Sequence, residues 1–550
     1  MTNEEIVKRQ ERLETDRKPV EGSWSDIERY VLPLSGKFFN WDDGPGATSF
    51  DTKSVWDSTG PIGAERMASF FWAALCSPML YWLDITFPAP GIEKESAALK
   101  WLQDSTRITY STLAASNFAL EMATAMLNWV GYGNAALTQE PVDPKVWRGY
   151  EFTSRPLRSV TFEEDHRGRV RRFYAKFNWT PAQIVEKFTV GGKFQGPKEI
   201  LEADEAGKTE PETVIYAVYP RAGVEPMTLG EKVRAPLNRP FAYKYVLART
   251  KETLGEEGGL YEMNNYLMRY NRAEGSPWGF GPALLALPTI KLLNALQEEI
   301  VLAAGKAVDP ASLVEERGLM GDLDLERGGM TVVRDPLKSV VAYESKARFD
   351  VSDNLLERQQ MMVRKYFRED DIGLKSSPAM TATEVMQRVT LVNRLFGAQV
   401  MRSQNDVFDP VVQNTFNGLM REGMIPPPPP IIQDMAGKGY GLRISYRGPF
   451  SRAQRDDEVA AIERVLTAAA AGIKMDFQDL RDEFKYSAGV KAMAEMLGTP
   501  AEMWFSKGEA DQNRKQRMAM QEAASKAQIQ KTAAEADRAA AGADALAQGA

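Results

Sequence analysis

Between about residue 147 and residue 250 the hydrophobic pattern changes period, and this change limits the fold more than any other feature. RVRRFYAKF, ETVIYAVYP and RPFAYKYVLA are rich in β-branched and aromatic residues and are bounded by Gly and Pro, so they predict strands. On both sides the apolar residues return to spacings of three and four. Residues 1–33 read as helical, with Trp24, Ile27 and Tyr30 at helical spacing before Pro33. Helices are expected near 63–75 and 97–130. From Pro282, the residues Leu293, Leu296 and Ile300 predict a helix that ends near Asp309-Pro310. SDNLLERQQMMVRKYFRED predicts another, capped by Ser352 or Asp353, with Leu355, Met362 and Tyr366 along one side.

A polar stretch then interrupts the pattern, and a helix restarts at MTATEVMQR. Thr381 and Glu384 stand three apart, the spacing at which each side chain satisfies an orphan N–H of the first turn. Val385, Val389, Val392, Phe396 and Val400 continue the stripe, which resumes at Val407 and Val411 with a kink expected at Pro410. Five prolines at 426–430 form a stiff spacer, LRISYRG reads as one strand, and the chain after Ser451 reads as helical and becomes Ala-rich. No repeat of 20 to 50 residues is visible. The fold class is therefore α+β.

Composition excludes several functions. The 75 acidic and 68 basic residues give a net charge of −7, which argues against a wide basic face for nucleic acid but leaves room for a local ring or groove. The only cysteine, Cys76, lies in the apolar run FFWAALCSP, so no internal disulfide can form and a buried thiol is the expected reading. The N-terminus lacks the apolar core of a signal peptide, and the run from Met67 to Leu83 is broken by Pro78 and too short for a membrane span. The single histidine, His166, falls at an expected hairpin tip in TFEEDHRGRVRRFY, which rules out zinc sites built on Cys and His clusters.

Chemical motifs were tested in turn. The Gly-Lys pairs at 36, 192, 305 and 437 are followed by Phe38, Phe194, Ala307 and Gly439, so none of these four makes a phosphate-binding loop. Gly131-Tyr-Gly133 fits a dinucleotide fingerprint by spacing but follows a helical pattern, so a helix C-terminus is expected. Gly279-Phe-Gly281 is followed by Pro282, which suits a helix N-terminus. The acidic pairs Asp322/Asp324, Asp370/Asp371 and Asp456/Asp457 read as solvated charge. No acid–base constellation, metal set or cofactor is expected, and no catalytic residue is assigned.

The order helix, insert, helix, polar loop, long kinked helix resembles that of the portal (head-to-tail connector) proteins of short-tailed phages. Four segments carry the likeness: WDSTGPIGAERMASFFWAALCSPMLYWLDI at 56–85, GSPWGFGPALLALPTIKLLNALQ at 275–297, MTATEVMQR at 380–388 and RISYRGPFSRAQR at 443–455. The resemblance implies a ring, expected to be dodecameric, around a channel for double-stranded DNA. It implies a wing at 1–280 and 381–450, with its β-rich part near 147–250. The stem would be formed by 281–308 and 351–369, the clip by 309–350, and the crown and tail by 451–550. The loop at 370–380 would face the channel, carrying Asp370, Asp371, Lys375, Ser376, Ser377 and Pro378. Candidate basic residues for the channel are Lys306, Arg364, Lys365, Arg368 and Lys375. Sparse positive rings on an acidic protein would contact phosphates without holding the duplex fast.

The implied partners are DNA, further copies of the chain, the terminase large subunit, a tail adaptor, capsid and scaffolding proteins and internal ejection proteins, with no membrane. The expected location is the portal vertex of the virion, after synthesis in the host cytoplasm. A different structural component of the head–tail region, without a DNA channel, is the competing reading. A magnesium-dependent nuclease is the more distant one.

Overall fold

The computed structural model describes residues 1–34, 52–78, 81–89, 95–143, 146–225, 233–308, 349–372, 395–438 and 440–446, with short stretches of 312–342 and 459–531. It separates into two compact units. One comprises Met1–Thr86, Asp104–Pro427 and Leu442–Gln454; the other comprises Phe87–Gln103, Pro428–Gly441 and Arg455–Ala550. In the second unit residues 461–468 and 512–531 are helical, and every side chain from 512 to 531 is exposed.

The chain begins with α1 (Asn3–Tyr30), α2 (Thr59–Leu75), β1 (Leu83–Thr86), α3 (Ser96–Ala115) and α4 (Phe118–Tyr132). Then come β2 (Asn134–Pro141), β3 (Tyr150–Arg155), β4 (Val160–Glu164) and β5 (Val170–Trp179), α5 (Pro181–Phe188), the hairpin of β6 (Thr189–Val190) and β7 (Lys193–Phe194), and α6 (Lys198–Glu205). Strands β8 (Glu212–Pro220), β9 (Phe241–Leu247), β10 (Thr253–Leu260), β11 (Asn265–Arg269), β12 (Asn271–Arg272) and β13 (Gly279–Phe280) complete the β-rich block.

The predicted period-two segments form a five-stranded antiparallel sheet in the order β10-β9-β8-β5-β4. Alternation along β8 explains why both of its faces are apolar. Ile215, Ala217 and Tyr219 point to α1, where Ile6 and Val7 cover them together with Tyr174, Ala242 and Val246. Val214 points the other way, to Ile184, Phe188 and Ile200 of α5 and α6. A three-stranded sheet, β11-β2-β3, lies beside it. The hairpin of β4 and β5 turns at His166, as expected for a solvated tip.

Two long helices follow, α7 (Pro282–Val308) and, after the pair β14 (Ser312–Val314) and β15 (Val340–Ala342), α8 (Phe349–Tyr366). The first starts at Pro282 and ends at Val308, close to the predicted limits. The second starts one turn before Ser352 and Asp353, so neither residue is its cap; no Gly or Pro between Phe349 and Ser352 stops the helix there. A short α9 (Glu369–Ile372) comes next. Past residue 394 the chain is helical again through α10 (395–403) and α11 (Asp409–Arg421), followed by α12 (Pro430–Gly437) and β16 (Arg443–Tyr446), which pairs with β1.

The distortion expected at Pro410 lies just ahead of it. Pro410 has no N–H for the carbonyl of Asp406 and its ring crowds that oxygen. The chain widens instead into a π-turn at Gln404–Phe408, with the Asp409 N–H donating to the Gln404 carbonyl. The turn places Asp406 beside Arg269, 3.5 Å from its guanidinium.

Both Gly-x-Gly motifs prove to be places where backbones meet. α4 ends on Gly133 with φ +76°, the left-handed geometry of a helix stop. A Cβ added to Gly133 would lie 2.3 Å from the amide nitrogen of Gly281. Asn134 locks the crossing: its Nδ2 donates to the Gly279 carbonyl at 2.8 Å, and its Oδ1 accepts from the Gly279 N–H at 2.7 Å. Neither motif has the strand–turn–helix setting that a dinucleotide would need.

The crossing gives a stability test. Gly133→Ala must bear left-handed strain of about 1–2 kcal/mol and must also displace the backbone of Phe280 and Gly281. Gly207→Ala, at φ +66° with open space around it, bears only the strain. In urea unfolding the midpoint is expected to fall clearly further for Gly133→Ala than for Gly207→Ala; equal shifts would refute the backbone crossing.

Candidate functional site

The site is the root from which α7 and α8 leave the body, together with the helix break that follows α8. It begins in the Asp-Ser-Thr segment ahead of α2. The Asp57 carboxylate accepts the Thr59 N–H at 2.8 Å and the Gln360 side-chain amide of α8 at 2.7 Å. The side-chain oxygen of Asn294, on α7, accepts the N–H of Trp56 at 2.7 Å and of Asp57 at 3.0 Å. Its amide donates to Ile290 O one turn back. Asn294 and Asp57 are both buried, so these bonds exchange with no water. One short segment thus holds both long helices.

The glycines of this segment make room for the two helices. A Cβ on Gly63 would lie 2.6 Å from the ring of Phe367, which is fully buried just after α8. Lys291 of α7 adds an ion pair to Asp26 of α1 at 2.6 Å and lies over the Tyr30 ring.

α8 stops at Arg368, which has φ +52° without being glycine. Its guanidinium stacks on the Phe396 ring at 5.3 Å. The Arg368 carbonyl accepts the N–H groups of Asp371 and Ile372. Glu369 pairs with Arg66 of α2 at 3.2 Å. Phe396 in turn packs on Phe70 and Phe71, at 5.8 and 5.0 Å, and Phe71 on Trp129 at 4.9 Å. An open hollow of about 820 Å³ lies between α2 and the α8–α9 junction, with Ile62, Phe70, Arg364 and Ile372 among its walls.

The candidate basic residues separate here. Arg364 and Lys365 are exposed in the last turn of α8. Arg368 is partly buried and stacked on Phe396, a placement that spacing along the chain could not reveal. Lys306 lies in the last turn of α7. Asp370 and Asp371 belong to the first turn of α9, a helical position rather than the loop expected for them. Lys375, Ser376, Ser377, Pro378, Thr381 and Glu384 lie outside the described residues.

Beyond the root, α7 and α8 turn several large apolar side chains outward, set among exposed charged ones such as Glu298, Glu299, Glu357 and Arg358. Leu285, Leu292, Val301 and Leu302 on α7 and Leu355, Met361, Met362 and Tyr366 on α8 are between 37% and 55% exposed. The side of α8 that carries Leu355, Met362 and Tyr366 is exposed in this chain, while Val363 and Phe367 are buried. Cys76 is buried and burial pushes its thiol up, away from the reactive thiolate. Among the described residues no His, Cys, Asp and Glu cluster could hold a metal, and no helix is long and apolar enough to cross a membrane.

Comparison with known proteins adds a family. A family model described as bacteriophage head to tail connecting protein matches residues 3–504. The chain is 25% identical over 537 residues to the probable portal protein of Bordetella phage BPP-1, across 95% of this chain and 92% of that one. It is 22% identical over 510 residues to the portal protein of Salmonella phage epsilon15, across 90% and 87%. A chain of the virion of the native gene transfer agent particle is similar at a TM-score of 0.36 and 10% identity, over 74% of this chain and 86% of its own.

Two substitutions test the root. Asn294→Ala strands two backbone N–H donors, of which the buried one of Asp57 costs about 1–3 kcal/mol. The urea midpoint is expected to drop accordingly, and an unchanged midpoint would show that the clamp carries no weight. At the break, Arg368→Gly removes both the cation–π contact and the left-handed strain, whereas Arg368→Ala removes only the contact. The glycine variant should be the more stable of the two by about 1 kcal/mol; the reverse order would contradict a strained junction.

Proposed function

The chain belongs to the bacteriophage head to tail connecting protein family, and from that membership we propose that it is a portal whose copies close into a dodecameric ring around a channel for double-stranded DNA. Its role as a head-to-tail connector follows from the family and from two relatives that bear the name portal protein. The observation that supports the ring is the number of large apolar side chains left exposed on α7 and α8 among their charged ones. A solvated helix pair buries one stripe and keeps polar residues on the other. Here Leu285, Leu292, Leu355 and Met362 are left for a neighbour, and the same pair in an adjacent copy offers the matching surface.

In this reading α7 and α8 form the stem, and residues 309–348 form the clip that meets the terminase large subunit and later the tail adaptor. Residues 373–380 form the loop toward the channel. Arg364 and Lys365, with Lys306 and Lys375, supply the positive rings. Arg368 serves the joint instead, because its charge is engaged with Phe396. Each ring contacts phosphate through counterion release, and an acidic chain keeps those contacts too few to trap the duplex. Capsid, scaffolding and internal ejection proteins are the further partners, and the protein acts as a virion component at the portal vertex without chemistry of its own.

The test has two parts. Met362→Asp puts a charge into the proposed contact between copies and should shift native mass from ring to smaller species; an intact ring would overturn the stem assignment. Arg364→Gln with Lys365→Gln should leave the ring intact by native mass while lowering DNA packaged or retained per particle. Unchanged packaging would remove these residues from the channel. A wild-type assembly without a central hole in negative stain would favour the reading as another head–tail component.

A further inference from the structure

The tip of the β4–β5 hairpin is a built, positively charged knob that the connector reading does not use. Asp165 shapes it, accepting the N–H of Arg167 at 2.8 Å and of Arg169 at 2.9 Å. Gly168 turns the chain at φ +76°. Beneath the tip, two neighbouring carboxylates are saturated from opposite faces of β4. Glu163 takes Arg9, Arg12 and Arg172 at 3.1, 2.8 and 2.8 Å. Glu164 takes Arg269 and, at 2.6 Å, Arg272. Arg269 also faces Asp406 and donates to the Gly168 carbonyl.

Eight guanidinium groups, counting Arg167, Arg169 and Arg171, therefore meet four carboxylates on a chain whose net charge is −7. Arg167, Arg169 and Arg171 are exposed, and among the described residues no carboxylate side chain lies within ion-pair distance of them. Among the described residues, the exposed tip arginines have one side-chain to side-chain bond, from Arg167 Nε to His166 Nε2 at 3.3 Å.

We infer that this tip is a second contact site for double-stranded DNA, gripping the phosphate backbone outside the α7–α8 stem. The side chains are arginine, whose planar fork matches two phosphate oxygens, where lysine offers a point charge. The turn is fixed by Asp165, Gly168 and the two saturated carboxylates, so little order must be imposed on binding. No large apolar side chain of β4 or β5 is exposed. A protein partner would need an aromatic or aliphatic anchor at the centre of its footprint; a polyanion of regular charge needs none. The choice of duplex DNA rests on the function proposed above, and the site itself rests on nothing assigned to the channel.

The experiment uses the full chain in its native assembly and a covalently closed circular duplex. Such a circle cannot thread a closed ring, so its binding reads an outer site even if the channel assignment fails. Affinity is measured by fluorescence anisotropy across a series of salt concentrations. Wild type is expected to bind with a steep salt dependence. Arg167→Ser/Arg169→Ser/Arg171→Ser should lower the affinity at least tenfold and flatten the log–log slope by up to about three per engaged tip. Replacing the same three residues by Lys should keep most of the slope. The inference is overturned if wild type does not bind the circle, if the serine variant binds it unchanged, or if a polyglutamate peptide binds the tip more tightly than the duplex does and displaces it.

Discussion

The packing of Phe367 on Gly63 is the contact on which the placement of α8 against α2 depends. Without a Cβ on Gly63, α2 approaches the end of α8 closely enough for Phe367 to be fully buried. Interiors packed at crystal-like density do not yield to an added methyl group without shifting their neighbours. The contact therefore fixes where α8 ends relative to α2. The clamp of Asp57, Asn294 and Gln360 fixes α7 and α8 to the segment ahead of the same helix. Steric fit sets the distance, and buried hydrogen bonds set the register.

A second buried polar set does similar work at the other end of this unit. Gln139 on β2 donates to Thr415 Oγ1 at 2.9 Å and accepts from Tyr266 Oη at 2.7 Å, and Asn414 donates to Tyr266 Oη at 2.9 Å. α11 is thereby keyed to the three-stranded sheet. An apolar interface would tolerate a slide by one turn, but a satisfied polar network penalises every shifted register by the donors it strands. Both ends of the body are thus set by polar groups that pair only in one arrangement, while the sheets between them rest on apolar burial.

Much of this was legible before the structure. The period-two block became the five-stranded sheet, because alternation on β8 supplies both helix-covered faces. Proline and glycine marked the ends of α4 and the start of α7. The outer and inner sides of α8 were not legible. Both carry large apolar residues, and periodicity reports that a stripe exists without saying what covers it. The Gly-x-Gly pairs were recognisable as local turns, yet their mutual contact joins residues 133 and 281, a pairing no local pattern encodes. For the same reason Arg368 looked like any helix-end cation until Phe396 was found beneath it. The capping box at Thr381 and Glu384 lies outside the described residues, so its geometry adds nothing to the site.

The left-handed Arg368 ties these observations together. A non-glycine residue holds such a conformation only where its surroundings impose it, at a cost of about 1–3 kcal/mol. The surroundings here are Phe367, buried one residue before, and Glu369, paired one residue after. Its own guanidinium lies on Phe396, in the helical stretch described from residue 395. The two sides of 373–394 are therefore anchored to the same helix, one by Glu369 on Arg66 and the other by Phe396 on Phe70 and Phe71. α2 also holds Phe367, and the turn ahead of it is bonded to Asn294 and Gln360. The described residues on either side of 373–394 and the root of the two long helices therefore share α2 as a common anchor.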